Sequence, residues 1–224
     1  FNFMKAGIVY ADIINTVSEK YAQEIRTKEE FGFGLEKLLN KRKNDLYGII
    51  NGVDYNVWSP QTDEFIPTKY SAATISKKVE NKKALLQKYN LKFEENIPVI
   101  GIISRLADQK GFDLIGDIVN ELMSLDIQMV VLGTGEKRYH ELFQKIHNKY
   151  PDKFGVYLGF SESLAHLIEA GSDMFLMPSR YEPCGLNQIY SLKYGTVPIV
   201  RATGGLDDTI ENVDEKSGTG TGFK

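Results

Sequence analysis

The chain contains 224 residues, of which 42% are hydrophobic and 25% charged, a composition typical of a globular domain that can bury a sizeable core. With a formal net charge of −3, we do not expect the whole chain to be basic in the way typical of nucleic-acid-binding proteins. The single cysteine excludes an internal disulfide, and no apolar run is long enough to span a bilayer, so we expect a cytoplasmic protein that binds neither nucleic acid nor a membrane.

The first ninety residues show few regular patterns. Thr16 to Glu19 resembles a capping box, which predicts the start of a helix. The residues at 69–89 predict a helix with one polar face. Asn51-Gly52 is a turn signal between these two segments.

The change from irregular to regular patterning indicates a domain boundary near residue 50. We assign residues 1–50 to the tail and linker of a preceding domain, and residues 51–224 to an α/β domain. Because the chain begins with Phe1 rather than methionine and ends in alternating glycine and threonine, we expect a fragment of a longer protein, truncated within its C-terminal domain.

From residue 99 onward, short apolar runs alternate with stretches of helical spacing, and the first run, at 99–103, is rich in β-branched residues. These runs predict strands at 99–103, 127–132, 154–158, 173–177 and 197–200. The intervening stretches predict helices at 112–123, 137–149, 162–171 and 186–194, with a short helical stretch from Leu206. This alternation is typical of βαβ units and indicates a Rossmann-like open parallel sheet flanked by helices.

Ligands of open α/β sheets bind beyond the carboxyl ends of the strands, so the segments that follow the predicted strands are candidate site loops. Arg105 and Lys110 lie in the first of these loops, just before a predicted helix. Two cations beside the free N–H groups of a helix start could bind an anion such as a diphosphate. The alternative is a pair of solvated loop cations, but the position at a strand end, followed by Gly111, favours the anion site.

Glu182 lies in the fourth of these loops. Pro183 restricts the backbone there, and Gly185 would let the main chain approach a ligand closely. A carboxylate held in this loop could accept hydrogen bonds from sugar hydroxyls. Local composition equally allows a structural ion pair with Arg180.

Two other residues admit both a structural and a functional interpretation. Phe160 follows a predicted strand and could stack on a purine, although the sequence alone favours an ordinary core aromatic. Cys184 could be a nucleophile, but it has no histidine near it in sequence, and His140, His147 and His166 fall in predicted helices. We therefore favour a packing or backbone role for Cys184 and expect no metal site.

Several motifs are absent from the sequence. No P-loop sequence is present, which argues against a P-loop nucleotide hydrolase. Gly133-Thr134-Gly135 begins like a dinucleotide fingerprint but lacks the third glycine. The sequence contains no Asp-x-Asp tripeptide, which is the usual metal clamp for the diphosphate of a nucleotide sugar. Cationic side chains would therefore have to neutralise a diphosphate leaving group.

Five segments together resemble the bacterial glycogen synthase and plant starch synthase family, retaining glycosyltransferases of the GT-B fold with two Rossmann-like domains. The segments are YGIINGVDYNVW at 47–58, SRLADQKG at 104–111, PSRYEPCGLNQ at 178–188, KYGTVP at 193–198 and TGGLDDT at 203–209. Tyr190 stands where many other retaining transferases carry a second glutamate, which glycogen and starch synthases also lack. The resemblance extends along essentially the whole chain and implies the donor domain of such an enzyme, preceded by the tail of its N-terminal domain.

The resemblance implies transfer of glucose from ADP-glucose to the non-reducing end of an α-1,4-glucan, with retention at the anomeric carbon and without a metal or other cofactor. It implies catalytic roles for Arg105 and Lys110, which would hold the diphosphate, and for Glu182, which would bind the donor glucose. The other positions implied for binding the donor or its nucleotide are Asn51, Gln109, Gly133, Thr134, Phe160, Cys184, Gly185, Leu186 and Asn187.

Two alternatives remain open from the residues themselves. One is a retaining glycosyltransferase that uses a different nucleotide sugar, and the other is a non-catalytic nucleotide- or glucan-binding module. Intact Arg105, Lys110 and Glu182 argue against the second. Because the family binds its acceptor mainly with the N-terminal domain, the resemblance also implies that missing domain as a partner, and we expect the fragment alone to be inactive.

Overall fold

Two separate parallel sheets organise the computed structural model, which describes residues 2–224. The smaller sheet pairs β1 (Ile14–Thr16) with β2 (Leu46–Gly48). The larger sheet contains β3 (Val99–Leu106), β4 (Gln128–Gly135), β5 (Phe154–Leu158), β6 (Met174–Met177) and β7 (Val197–Val200). Its strands are all parallel and lie in the order β5-β4-β3-β6-β7, so the predicted Rossmann-like open sheet is confirmed.

The helices surround these sheets and connect their strands. Those of the first half are α1 (Phe3–Tyr10), α2 (Glu19–Thr27), α3 (Glu29–Gly32), α4 (Glu36–Lys41) and α5 (Lys78–Lys88). Those of the second half are α6 (Phe112–Ser124), α7 (Lys137–Lys149), α8 (Glu162–Gly171), α9 (Asn187–Tyr194) and α10 (Gly204–Thr209). Short 3₁₀ helices occur at Ala72–Lys77 and Asp108–Lys110.

The core of the larger domain has two apolar layers, one on each face of the five-stranded sheet. Alternate residues of β3 and β4 point to opposite faces, which is why both strands are apolar almost throughout. On one face, Phe112 of α6 and Phe143 of α7 pack against the sheet. On the other face, Leu86 of α5 and Ile168 of α8 do so. This three-layer packing fixes the carboxyl ends of the strands along one edge.

The predicted strands and helices of the second half agree closely with the structure. The strands at 154–158 and 197–200 and the helices at 137–149 and 162–171 have the predicted bounds. The first strand is longer than predicted, because β3 continues to Leu106 beside the extended end of β4, where Arg105 pairs with Thr134. Arg105 is therefore part of β3, next to its last residue, and does not lie in the loop that follows the strand.

Predictions for the first ninety residues were less accurate. The helix expected at 69–89 is wrong over residues 69–77, since Ser71 instead caps a 3₁₀ segment with a non-helical break at Thr74, and the α-helix begins only at Lys78. The cap of α2 is Ser18, whose side chain accepts from the Tyr21 N–H, rather than the box proposed from Thr16.

The glycine-rich C-terminal segment is ordered by main-chain pairing. Phe223 bridges to Ile199 of β7 and accepts a hydrogen bond from the Val200 N–H at 2.9 Å. Asp214 and Thr219 form a further antiparallel bridge within this segment. Main-chain pairing with an edge strand therefore orders residues whose side chains carry no strand signal.

Residues before and after position 50 are joined by buried polar contacts. Glu24 of α2 is buried and accepts hydrogen bonds from the Thr203 hydroxyl and the Gly204 N–H, at 3.1–3.2 Å. Ser18 donates to Asp208 of α10 at 2.6 Å. The five-stranded sheet lies wholly within 51–224, whereas these contacts join α2 and its cap to residues 203–208. The domain boundary at residue 50 stays a prediction. Within the described residues, no helix is both long and apolar enough to cross a bilayer.

Candidate active site

A cleft of about 730 Å³ opens at the carboxyl ends of β3, β4, β5 and β6. It lies where the strand order reverses direction, between β3 and β6, which is the usual ligand position in an open α/β sheet. Every residue proposed for the site from the sequence lines this cleft: Asn51, Arg105, Gln109, Lys110, Gly133, Thr134, Phe160, Glu182, Cys184, Gly185, Leu186 and Asn187. The structure thus brings together side chains that lie far apart in the sequence.

The two cations lie on either side of a tight turn after β3. Arg105 extends from the strand end, and its guanidinium donates to the Gln109 side-chain oxygen at 3.2 Å. Lys110 ends the 3₁₀ helix, and Gly111 follows with a left-handed φ of 69°. A Cβ at Gly111 would lie 2.3 Å from the Pro178 carbonyl oxygen, so glycine is required for this loop to meet the loop after β6.

Glu182 is buried and bonds directly to Lys110. The Lys110 ammonium donates to Glu182 Oε2 at 2.5 Å, and the Ser179 hydroxyl donates to the same oxygen at 3.1 Å. The ion pair considered between Glu182 and Arg180 is not the one formed, because Arg180 pairs with Asp113. A carboxylate held in this way can accept further hydrogen bonds from a ligand.

Gln109 joins the same two loops through both its side chain and its main chain. Its amide nitrogen donates to the Tyr181 carbonyl at 3.1 Å, and its own carbonyl accepts from the Arg180 N–H at 2.8 Å. With its oxygen engaged by Arg105, the Gln109 amide is largely occupied within the protein. The geometry therefore points to a role in holding the loops and Arg105, beside any contact to a ligand.

Phe160 lies at the end of β5 with 86% of its surface exposed. The interpretation as an ordinary core aromatic is therefore wrong. On the neighbouring strand, a Cβ at Gly133 would lie 2.2 Å from the Ser104 carbonyl oxygen. Glycine at this position keeps the ends of β3 and β4 close, and Thr134 follows it at the edge of the cleft.

The loop that precedes α9 presents main-chain groups to the cleft. Cys184 is buried, and burial raises the pKa of its thiol, which opposes a nucleophilic role. Gln188 donates to the carbonyls of Cys184 and Gly185, each at 3.0 Å, and so fixes this turn. Asn187 is held similarly, by its hydrogen bond to the Ile103 carbonyl at 3.1 Å.

The histidines lie outside this arrangement. His140 accepts from the Gly135 N–H, and His147 bonds to the Phe154 carbonyl, so both are structural groups of α7. His166 is buried in α8 against Asp63. Among residues 2–224, no group of three histidine, cysteine or acidic side chains is arranged to hold a metal ion.

Sequence reasoning missed the polar residues that support the site. Ser179 and Gln188 are buried and bond to groups of the cleft loops, but neither belongs to a motif whose spacing marks it as functional. The only available signal was their place within the segment 178–188, which the resemblance singled out as a whole.

Comparison with known proteins gives consistent matches. Residues 84–223 match the family described as glycosyl transferases group 1, and residues 1–41 match the starch synthase catalytic domain. The chain is 56% identical to a glycogen synthase of Koribacter versatilis over 223 residues, which is 100% of this chain and 46% of that protein. It is 51% identical to glycogen synthase 1 of Geobacter metallireducens, of which it covers 44%. The chain thus spans less than half the length of these relatives.

Solved structures show the same similarity. The catalytic domain of starch synthase IV from Arabidopsis thaliana, bound to ADP and acarbose, matches 96% of this chain with a TM-score of 0.88 and 38% identity, and the match covers 44% of that chain. Anabaena Alr3699/HepE in complex with UDP and glucose matches with a TM-score of 0.62 at 17% identity, covering 92% of this chain and 48% of that one. The second match is evidence for the fold alone.

Proposed function

The chain belongs to the group 1 glycosyl transferases, and from this premise we propose that it carries the donor site of a glycogen synthase. The reaction proposed is transfer of glucose from ADP-glucose to the non-reducing end of an α-1,4-glucan, with retention at the anomeric carbon. The observation that supports it most is the convergence of Arg105, Lys110 and Glu182 in one cleft, within a chain 56% identical to a glycogen synthase.

The two cations suit the departure of a diphosphate. Glycosyl transfer passes through an oxocarbenium-like state in which negative charge develops on the leaving group. Arg105 and Lys110 border the same cleft and would stabilise that charge, an effect worth roughly 3–4 kcal/mol for one well-placed donor. We propose that they do this without a metal, because fixed cations can supply the charge that a metal would otherwise provide.

Glu182 suits the sugar part of the donor. Its carboxylate is held within the cleft, and the main chain of Cys184, Gly185 and Leu186 follows directly after it. Carboxylate oxygens and main-chain N–H groups together can accept from and donate to sugar hydroxyls. We therefore assign the donor glucose to this loop, next to the diphosphate at Arg105 and Lys110.

The nucleotide would lie on the β4 and β5 side of the cleft. The exposed ring of Phe160 provides a surface on which adenine can stack, and Gly133, Thr134, Asn51 and Asn187 line the same cleft. The structural relative from Arabidopsis was solved with ADP, which supports ADP-glucose over other nucleotide sugars.

The glucan acceptor would approach from the open side of the cleft. The relatives are about twice as long as this chain, and we propose that their additional N-terminal domain supplies most of the acceptor contacts. Residues 1–50 would be the tail of that domain. Catalysis therefore requires a protein of the relatives' full length, and this chain alone would bind nucleotide without extending glucan.

Calorimetric titration of the chain with ADP and with UDP tests the nucleotide assignment. We expect ADP to bind more tightly, and Lys110→Ala to weaken ADP binding by on the order of tenfold or more, since it removes a charge-assisted contact. Lys145→Ala, which removes an exposed lysine of α7, is the matched control and should bind ADP as the original chain does.

A glucose-incorporation assay tests the reaction itself. A protein of the relatives' length that carries this chain should transfer labelled glucose from ADP-glucose to glycogen, and Glu182→Gln should greatly reduce the rate. Turnover with UDP- or GDP-sugars but not ADP-glucose would identify a different donor. Nucleotide binding without turnover on any donor would identify a non-catalytic binding module.

A further inference from the structure

The two oxygens of the Glu182 carboxylate have different surroundings. Oε2 accepts from the Lys110 ammonium and from the Ser179 hydroxyl, at 2.5 and 3.1 Å. Oε1 has no partner among the described residues, and it is not sealed from the cleft that Glu182 lines. One oxygen is therefore held by the protein, and the other is free to meet a ligand.

The two groups that hold Oε2 differ in what else they could bind. Lys110 is a flexible cation at the edge of the cleft, and a diphosphate placed there would compete for its ammonium. Ser179 borders the cleft but is only 1% exposed, and within residues 2–224 its hydroxyl bonds to no side chain other than that of Glu182. A bound donor that draws Lys110 away would therefore leave the Ser179 hydroxyl as the group that holds Glu182 Oε2.

The main chain around Ser179 is fixed on both sides. The preceding residue, Pro178, has its carbonyl against Gly111, and the following residue, Arg180, donates its N–H to the Gln109 carbonyl at 2.8 Å. The serine hydroxyl therefore projects from a loop that cannot readily shift relative to the turn that carries Lys110.

We propose that Ser179 is the positioning residue that keeps the Glu182 carboxylate aimed at the donor sugar once Lys110 engages the diphosphate. This inference rests on the proposed function of the site. Without the hydroxyl, the carboxylate could follow Lys110 or rotate into the space left by it. In this proposal Ser179 acts through Glu182 and not through the diphosphate or the nucleotide.

Ser179→Ala in a protein of the relatives' length tests the proposal. We expect the rate of glucose transfer at saturating ADP-glucose to fall by on the order of tenfold, because small displacements of a reacting group are costly. The dissociation constant of ADP, measured by calorimetry, should stay unchanged, since ADP carries no sugar for Glu182 to bind. Ser179→Thr keeps a hydroxyl and should recover part of the rate, and Ser124→Ala on α6 is the control.

A double-mutant cycle separates positioning from general damage. In a Glu182→Gln background, adding Ser179→Ala should change the rate much less than it does alone, because both act through one group. Full activity of Ser179→Ala, additive effects in the cycle, or loss of ADP binding in step with the rate would each overturn the proposal. Failure of the proposed function would look different, since the unaltered protein would then not transfer glucose from ADP-glucose at all.

Discussion

The buried carboxyl of Glu169 should make the stability of this chain depend on pH in a direction opposite to that of most acidic groups. Glu169 lies near the end of α8 and is fully buried. Ser191 donates to its Oε2 at 2.7 Å, whereas Oε1 has no partner within the described part of the chain. Lys78 bonds the main-chain carbonyl of Glu169, at 3.1 Å, and not its carboxylate. Burial raises the pKa of Glu169 from 4.5 to about 8. The hydrogen bond from Ser191 and the positive charge of Lys78 lower this pKa, but by less than burial raises it.

The sign of the effect follows from proton binding. Between pH 4.5 and 8 the folded state keeps the Glu169 proton, while the unfolded state loses it, so the folded state binds more protons. The contribution of Glu169 to the free energy of unfolding must therefore fall as the pH rises through this window. At about 1.4 kcal/mol for each pH unit, the loss attributable to Glu169 is on the order of 4–5 kcal/mol across the whole window.

Glu169→Gln replaces the protonated acid with a neutral amide of the same shape, and this amide cannot ionise. Urea unfolding followed by circular dichroism at pH 5, 6, 7 and 8 should therefore show the variant gaining stability relative to the original chain at each step. Glu121→Gln, an exposed change on α6, should show no such trend. An equal stability difference at all four pH values would refute the assignment of a buried, protonated Glu169.

Two further predictions concern the nucleotide surface and the core beside it. Phe160→Ala should weaken ADP binding by about 1–3 kcal/mol, as expected for loss of an aromatic stacking surface. Tyr157→Ala removes an exposed aromatic ring from β5, the strand that precedes Phe160, and should leave ADP binding unchanged; equal calorimetric affinities for the two variants would contradict the assigned adenine position. Asp63→Asn should destabilise the fold by about 2–5 kcal/mol, because the Asp63 carboxylate accepts hydrogen bonds from buried His166 and from Tyr194, at 2.8 and 2.5 Å. Thermal unfolding measures the effect, with the exposed change Asp152→Asn as the control. An unchanged melting temperature of Asp63→Asn would contradict the prediction.

The regular part of the fold could be predicted because it depends on local patterns. The short apolar runs of β3, β5 and β7 predict strands, and the helices between them follow from the spacing of their apolar residues. The segment at 69–89 failed for a local reason as well, since the Ser71 cap and the break at Thr74 hold its beginning in a 3₁₀ form that helical spacing does not reveal.

The site could be predicted in its residues but not in its contacts. The carboxyl ends of parallel strands meet along one edge, so the loops carrying Lys110 and Glu182 were expected to lie near each other. That these two side chains bond directly, although 72 residues apart, depends on how closely the loops approach, and no sequence pattern encodes that distance. The same is true of Asp63 and His166, which are 103 residues apart and meet only through the packing of α8.

Close backbone contacts, rather than side-chain packing alone, determine where the Glu182 carboxylate lies. On one side, Gly111 allows the turn of Lys110 to reach the loop after β6, and on the other, a Cβ at Gly204 would lie 1.9 Å from the Glu182 carbonyl oxygen. Gly204 has a positive φ of 45°, and its N–H is held by buried Glu24 of α2. Main chain from two separate stretches, at Gly111 and Gly204, packs against this loop, and the Glu24 side chain holds the second of them, so the loop that carries the carboxylate is fixed before any donor binds. If the proposed function holds, such preorganisation would let the carboxylate interact with a developing charge without the cost of reorganising the site during the reaction.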